Sequence, residues 1–168
     1  MTVSRLASLP FFGLAVGTAM AADQFVKFIV EEKLPFHQLV EVLPLFGLYR
    51  TYHEGIAFSM LAGLGDTGLV VLALGVTLIV LYLRSGKSAE RVWAHWGFAL
   101  IVGGAIGNVI DRVLFGHVID YFLFYTQSWS FAVFNLADAF ISVGAALVIL
   151  DEFLEWLGER KRANLDKN

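Results

Sequence analysis

Apolar residues occur in four long runs along the chain, and polar residues are concentrated between them. A helix that crosses a bilayer needs about 20 mainly apolar residues. Four segments approach or exceed that length, at about 6–22, 68–83, 92–110 and 131–156. The pattern therefore predicts an all-α membrane protein with four transmembrane helices, in which residues 1–168 form a single integral membrane domain.

The segment between the first two runs has a different pattern. Residues 39–52 are rich in β-branched, aromatic and leucine residues, and Pro44 and Gly47 interrupt them. Such runs are typical of short strands, so we predict two or three strands that form a small extracytoplasmic β-sheet within the region 34–55. Residues 57–64 have the amphipathic pattern of a short helix that lies at the membrane interface.

The positions of lysine and arginine predict the orientation, because cytoplasmic loops of membrane proteins carry an excess of these residues. Eight of the twelve lie before the first run, between the second and third runs, or after the fourth run. The other four are Lys27, Lys33, Arg50 and Arg112. We therefore expect both termini to be cytoplasmic and residues 23–67 and 111–130 to lie on the outer side.

The first run also resembles a cleavable secretory signal, because Arg5 precedes it and a small-residue tripeptide, Ala19-Met20-Ala21, ends it. The distribution of lysine and arginine fits both interpretations, since the three other spans would satisfy it equally. We expect this run to be retained as the first span.

The composition agrees with a membrane protein and excludes several kinds of chemistry. Apolar residues make up 58% of the chain and charged residues only 16%, whereas soluble domains carry roughly 25% charged residues. The net charge of −3 gives no reason to expect a nucleic-acid partner. The chain has no cysteine, which excludes thiol catalysis, and its four histidines have no metal-ligand spacing. We therefore expect neither a metal nor another cofactor.

Four aspartates are predicted to lie at the outer face of the membrane. Asp23 and Asp111 end the first and third predicted spans, and Asp120 lies in the outer loop that follows. Asp138 is predicted about two turns into the fourth span, where an ionised carboxylate costs about 2.5–3.5 kcal/mol or more. A carboxylate that is so costly in lipid is a candidate for function, which makes Asp138 the strongest of the four.

The spacing of nearby residues suggests partners for these carboxylates. The pattern N-x-x-D occurs at Asn108–Asp111 and again at Asn135–Asp138, and residues three apart lie on one face of a helix. Lys27 follows Asp23 by one helical turn and would pair with it if the first helix continues. Arg112 directly follows Asp111, so an ion pair at the helix end is a further interpretation.

Two carboxylates that share a site favour acid–base chemistry, because like charges at short range do not both ionise easily. The ionised member then deprotonates a water molecule, and the protonated member donates to a substrate carbonyl oxygen. Intramembrane acids also mark ion paths, so a proton-coupled membrane transporter is an alternative, and an assembly factor that pairs helices is another. The spacing alone leaves open which two of the four aspartates form the pair.

Five short motifs lie in order along nearly the whole chain. They read DQFVK, GIAFS, GNVIDR, GHVIDY and FNLAD, at residues 23–27, 55–59, 107–112, 116–121 and 134–138. They resemble the D-Q-x-x-K, G-x-A-F-S, G-N-x-x-D-R, G-x-V-x-D-F/Y and F-N-x-A-D motifs of lipoprotein signal peptidase, also called signal peptidase II. The order and placement of all five on the predicted spans make the resemblance specific.

The resemblance implies an aspartic endopeptidase of the bacterial cytoplasmic (inner) membrane. Such enzymes cleave the signal peptide from diacylglyceryl-modified prolipoproteins, N-terminal to the lipidated cysteine, at the outer membrane face. The partners would be these prolipoproteins and membrane lipids, and the cyclic lipopeptide globomycin would be an inhibitor. The outer strands would form a cradle over the site, and the helix at 57–64 would form a lid.

The resemblance also implies roles for individual residues. The catalytic pair would be Asp120 and Asp138. The resemblance implies that eight further residues support the site or position the substrate: Asp23, Lys27, His53, Gly55, Asn108, Asp111, Arg112 and Asn135. Of these, Asp111 is implied to have a mainly structural role. One position departs from the family, which usually has asparagine where this chain has His53. The substrate-side hydrogen bonding of that loop therefore does not carry over from the family.

Overall fold

The helices and strands are those of a computed structural model, which describes residues 8–53 and 65–165. Gly55 and the predicted interfacial helix at 57–64 lie outside the described residues. The helices in the described part are α1 (Leu9–Lys33), α2 (Gly65–Ser85), α3 (Val92–Phe115) and α4 (Leu136–Leu165). The strands are β1 (Leu39–Leu43), β2 (Phe46–His53) and β3 (Val118–Phe124).

The predominantly helical membrane architecture predicted from the sequence is confirmed. Within the described ranges, three helices are long and apolar enough to cross a membrane: Leu9–Lys33, Thr67–Ser85 and Val92–Phe115. The first helix does not end near residue 22, as predicted, but continues to Lys33. Asp23 and Lys27 are buried inside it, because each has an oppositely charged partner there. The prediction that Asp23 ends the first span is therefore wrong.

The fourth predicted span, at 131–156, is not confirmed as a transmembrane segment. The helix in that region, α4, begins later, at Leu136, and extends further, to Leu165. It carries Asp138 in its first turn and Asp151 and Glu152 near its middle, so its composition is less apolar than that of the other helices. Its packing is nevertheless extensive, because the contact between α4 and α3 is the largest between any two described elements.

The sheet contains a strand outside the region in which the sequence pattern predicts strands. Two or three strands are predicted within 34–55, and the structure has two there, β1 and β2. In the described part of the chain they form a three-stranded antiparallel sheet with β3, in the order β1-β2-β3. The segment that forms β3 is rich in β-branched and aromatic residues, which favour strands. Asp120, which is predicted to lie in a loop, lies in this strand and pairs across the sheet with Thr51.

After β3 the chain turns and runs back beside this strand. The N–H of Phe122 donates to the carbonyl of Phe134 at 2.7 Å, and the N–H of Phe134 donates to the carbonyl of Phe122 at 3.0 Å. A further bridge joins Tyr125 to Ser130. The returning segment leads directly into α4, so the start of α4 lies next to the middle of β3.

Glycines allow the other helices to approach α3 closely. Gly103 faces Ala19 of α1, and Gly104 faces the backbone of α4. At Gly97 and Gly144 a Cβ atom on either residue would lie 2.6 Å from the carbonyl oxygen of the other. Small residues at such contacts let helix backbones pack together within a membrane, and here they bring the polar residues of three helices to one place.

We expect Gly104→Ala to weaken the packing of α3 on α4 and to lower stability. A Cβ at Gly104 would overlap the backbone carbonyl of Ala137, which is not able to rotate away as a side chain would. Overpacking of this kind costs about 1–3 kcal/mol. The measurement is the thermal unfolding midpoint of the purified protein in detergent. Gly75→Ala is the matched control, because nothing lies within 4 Å of a Cβ there. Equal midpoints for both variants would contradict the proposed tight contact.

Candidate active site

Asp120 and Asp138 lie on different elements and share one partner, Asn135. Asp120 is a buried residue of β3, and Asp138 is a half-buried residue in the first turn of α4. The Nδ2 of Asn135 donates to Asp120 Oδ1 at 2.7 Å, and its backbone N–H donates to Asp138 Oδ2 at 3.2 Å. The predictions that Asp120 lies in a loop and that Asp138 lies two turns inside a helix are therefore wrong.

The N-x-x-D pattern at Asn135–Asp138 caps a helix and does not mark one helical face. Asn135 precedes the first residue of α4, and its Oδ1 accepts a hydrogen bond from the N–H of Asp138 at 2.9 Å. Asp138 accepts the N–H of Asn135 in return, and the N–H of Ala137 donates to Asp23 Oδ1 at 2.9 Å. These bonds satisfy N–H groups that a helix start otherwise leaves without partners. The cap thereby fixes the orientation of the Asp138 carboxylate.

Asn108 of α3 connects this cap to a buried cation. Its Nδ2 donates to Asp138 Oδ1 at 2.8 Å. Its Oδ1 accepts hydrogen bonds from Lys27 Nζ at 2.9 Å and from Asn135 Nδ2 at 3.2 Å. Each carboxylate oxygen of Asp138 therefore accepts one N–H, from the side chain of Asn108 or from the backbone of Asn135. The side chains of Asn108 and Asn135 are in turn oriented by their hydrogen bonds with Lys27, Asp120 and each other.

Lys27 lies between two buried carboxylates. Its Nζ is 2.8 Å from Asp23 Oδ2 and 2.7 Å from Asp111 Oδ2, and all three side chains are at most 2% exposed. The pairing of Asp23 with Lys27, predicted from their spacing, is confirmed. The spacing suggested Arg112 as the ion partner of Asp111, but the structure gives Asp111 the ammonium group of Lys27. We call these three residues the buried ion triad, and it ties α1 to α3.

Two residues belong to the site although the sequence interpretation did not include them. Gln24 donates through Nε2 to Asp111 Oδ1 at 2.8 Å and to the carbonyl of Gly107 at 3.1 Å. Tyr121 is fully buried, and its hydroxyl accepts the N–H of Leu136, the first residue of α4, at 3.1 Å. Both lie inside the motifs DQFVK and GHVIDY, so motif membership was the available signal. A search for carboxylates does not find them because neither carries a charge.

Two further residues named from the sequence lie beside the carboxyl pair. Arg112 donates through Nη1 to the carbonyl of Asn108 at 3.3 Å. His53, at the end of β2, places Nδ1 3.8 Å from Asp120 Oδ2. Both side chains line the same cavity as Asp120 and Asp138.

This cavity has a volume of about 1020 Å³ and two chemically different ends. Its polar end is formed by Asp120, Asp138, Asn108, Arg112 and His53. It continues between α2 and α4, where apolar side chains line it: Leu69, Leu72, Ala73 and Val76 from α2, and Ala139, Ile141 and Val143 from α4.

The environment of Asp120 favours its protonated form. Burial, followed by the negative charge of Asp138, raises the pKa of Asp120 from 3.8 to about 8. The hydrogen bond from Asn135 and the cations of Lys27 and Arg112 lower this pKa, but their effects are smaller. The balance of these effects favours a protonated Asp120 at neutral pH.

Comparison with known proteins identifies close relatives of the chain. The family described as signal peptidase (SPase) II matches residues 15–154. The lipoprotein signal peptidase of Mesorhizobium japonicum is 55% identical over 152 residues, which cover 90% of each sequence. The lipoprotein signal peptidase of Brucella ovis is 56% identical over 142 residues, which cover 84% of this chain and 89% of the relative.

Two solved structures share the fold. Both are described as bacterial membrane enzymes determined by the in meso method, at 2.3 and 1.9 Å resolution. The first has a TM-score of 0.77 at 23% identity and covers 88% of this chain and 90% of its own. The second has a TM-score of 0.74 at 24% identity and covers 84% of this chain and 92% of its own. At this level of identity the likeness concerns the fold alone.

Proposed function

The chain belongs to the signal peptidase II family, a family of membrane proteases, and from this premise we propose that it removes signal peptides from diacylglyceryl-modified prolipoproteins. The proposed cut lies N-terminal to the lipidated cysteine, and Asp120 and Asp138 are the proposed catalytic pair. One observation carries the proposal: Asn135 hydrogen-bonds both carboxyl groups at the polar end of a cavity whose other end is apolar.

In the proposed reaction the carboxyl pair starts with one proton. The raised pKa of Asp120 favours this residue as the acid, and Asp138, oriented by Asn108 and Asn135, is the base. Asp138 takes a proton from a water molecule, whose oxygen attacks the carbonyl carbon before the lipidated cysteine. Asp120 donates its proton to the carbonyl oxygen. The tetrahedral intermediate collapses when the C–N bond breaks. The leaving nitrogen takes the proton held by Asp138, and one hydroxyl group on the former carbonyl carbon returns its proton to Asp120, so the products are a carboxylic acid and an amine and the starting pair is restored.

The buried ion triad and the two asparagines are proposed to position this pair. Asp23 accepts an N–H from the start of α4, and Lys27 donates to Asn108, so the triad reaches the pair through hydrogen bonds. Arg112 and His53 line the cavity and are proposed to face the substrate peptide. Globomycin, as a cyclic lipopeptide, has the same two chemical parts as the substrate and is expected to occupy the same cavity.

The proposed orientation places the site at the outer face of the membrane and both termini in the cytoplasm. It follows the excess of lysine and arginine at the opposite end of the helices, where Lys87 and Arg91 pair with Asp151 and Glu152 of α4. In these ion pairs Lys87 and Arg91 neutralise Asp151 and Glu152, two of the charged residues that make α4 less apolar than the other helices. Together with the close packing of α4 along α3, they support α4 as the fourth membrane span.

The substrate's lipid group provides a test of the proposed function. The lipid chains anchor the peptide in the bilayer, which holds the scissile bond at the depth of the polar end of the cavity and fixes its orientation. We expect kcat/KM for a diacylglyceryl-modified peptide to exceed that for the unmodified peptide on the order of 100-fold. The measurement compares the same peptide with and without the lipid in nanodiscs. Equal cleavage of both forms would indicate a membrane protease of different specificity.

The pH dependence of cleavage provides a second test. Because the pKa of Asp120 is raised to about 8, the pair loses its remaining proton as the pH rises through that value. Without this proton the substrate carbonyl has no acid to protonate it. We therefore expect kcat/KM to fall on the alkaline side with a midpoint near pH 8. A rate that stays constant into strongly alkaline solution, with the protein still folded, would exclude Asp120 as the acid.

A further inference from the structure

Tyr121 of β3 contacts the chain on both sides of Asn135. Its backbone N–H donates to the carbonyl of Phe134 at 3.1 Å, and its hydroxyl accepts the N–H of Leu136 at 3.1 Å. Asn135 lies between these two contacts, and its side chain donates to Asp120. We call the two hydrogen bonds the Tyr121 clamp. One residue of the strand therefore holds the chain immediately before and immediately after the asparagine that joins the carboxyl pair.

The clamp fixes the two peptide groups that flank Asn135. A peptide group is planar, so its N–H and its carbonyl move together. In the group before Asn135, the carbonyl of Phe134 accepts the N–H of Tyr121. In the group after it, the N–H of Leu136 donates to the Tyr121 hydroxyl, and the carbonyl of Asn135 accepts the N–H of Ala139. With both groups held, the direction in which the Asn135 side chain leaves the backbone is fixed as well.

The surroundings of Tyr121 suit a positioning role and not a contact with substrate. Its side chain is fully buried and packs in an apolar cluster with Val30 and Ile119, and it is absent from the described residues that line the cavity. Burial raises the pKa of Tyr121 above its ordinary value, so the hydroxyl stays un-ionised. The first N–H groups of a helix have no acceptor within the helix, so the N–H of Leu136 depends on this hydroxyl.

We propose that Tyr121 is a positioning residue that acts through Asn135: the Tyr121 clamp keeps the Asn135 side chain between Asp120 and Asp138 and so maintains the geometry of the carboxyl pair. This inference rests on the proposed function, because it concerns the same pair. The family motif has either phenylalanine or tyrosine at this position, so the hydroxyl is a contribution of this chain. Loss of positioning slows the chemical step and leaves substrate binding unchanged.

The first test compares kcat and KM of Tyr121→Phe and the wild type for the lipidated peptide. Phenylalanine keeps the buried ring and removes only the hydroxyl. We expect kcat per folded protein to fall about tenfold, because the N–H of Leu136 loses its acceptor, and KM to stay within about twofold. Tyr125→Phe is the matched control, since it removes a hydroxyl that donates to Glu41 at 2.9 Å, and it should keep the wild-type kcat. Equal losses in both variants, or a change in KM alone, would overturn the proposal.

A double-mutant cycle tests whether Tyr121 acts through Asn135. In the Asn135→Ala background the side chain that the clamp orients is gone, so the addition of Tyr121→Phe should change kcat by less than about twofold. A purely structural effect of the hydroxyl would be the same in both backgrounds. A loss of about tenfold in the Asn135→Ala background as well would therefore refute the proposed route through Asn135.

A third test does not depend on cleavage. The side-chain amide of Asn135 donates to Asp120 and Asn108, so its protons should exchange slowly with water. Exchange is followed by NMR of isotope-labelled protein in detergent, and Asn135→Ala identifies the signals. We expect exchange to be about tenfold faster in Tyr121→Phe and unchanged in Tyr125→Phe. Unchanged exchange in Tyr121→Phe would refute the clamp. The expected difference in a protein that cleaves no lipidated substrate would refute the proposed function and leave the clamp intact.

Discussion

Asp138→Asn is expected to lower the cleavage rate of a lipidated prolipoprotein roughly a thousandfold, within the range that general acid–base catalysis contributes. An asparagine side chain has the same shape, and its oxygen still accepts the N–H of Asn135, so the start of α4 is retained. It is not able to take a proton from water. Asp120→Asn should have a similar effect, because an amide does not donate the proton that the carbonyl oxygen needs. Single-turnover cleavage rates of purified variants check both.

Asn135→Ala separates positioning from proton transfer. It removes one hydrogen bond to Asp120 and the side-chain part of the cap, but it leaves both carboxyl groups in place. We expect a smaller loss of activity than in Asp138→Asn. If Asn135→Ala were the more damaging change while both variants unfolded at similar temperatures, the roles of these two residues would have to be exchanged.

Lys27→Met is expected to cost about 3–5 kcal/mol of stability, the largest effect we expect from a residue outside the carboxyl pair. Methionine fills a similar volume but leaves Asp23 and Asp111 buried without their shared cation. It also removes the donor to Asn108, so the remaining folded protein should be less active. The measurement is the unfolding free energy in mixed micelles of detergent and denaturing surfactant.

The design of that experiment includes a rescue and a control. The triple variant Lys27→Met, Asp23→Asn, Asp111→Asn removes all three charges of the buried ion triad, and it should recover much of the lost stability because no unpaired charge remains buried. Lys33→Met, at the exposed end of the same helix, should be close to neutral. Equal losses for Lys27→Met and Lys33→Met would contradict the description of Lys27 as the cation that joins α1 to α3.

The sequence predicted the helical architecture well because long apolar runs have few alternatives in a membrane. It predicts the ends of the helices less well, because polar residues that have partners can lie inside a helix and do not end it. Asp23 and Lys27 did not end α1, since each neutralises the other inside it. Aspartate is uncommon in strands, but the residues around Asp120 favour a strand, and its partner Asn135 comes from the returning segment.

The sequence predicts which residues belong to the candidate site better than it predicts which of those residues contact one another. Spacing correctly paired Asp23 with Lys27, because residues four apart meet on a helix. It did not reveal that Asp111 shares that same lysine, since this contact joins α1 to α3. The N-x-x-D pattern at the start of α4 has the form of a capping box, and knowledge of where the helix begins was needed to interpret it in that way.

The decisive measurement is the mass of each product that the purified protein releases from one diacylglyceryl-modified prolipoprotein. We expect a signal peptide that ends at the residue before the modified cysteine, and a mature lipoprotein that begins with this cysteine and has a free amino group. Asp120→Asn and Asp138→Asn should yield almost none of either product in the time in which the wild type completes cleavage. A cut at another position, or wild-type amounts of the two products from either variant in a folded state, would contradict the proposed function.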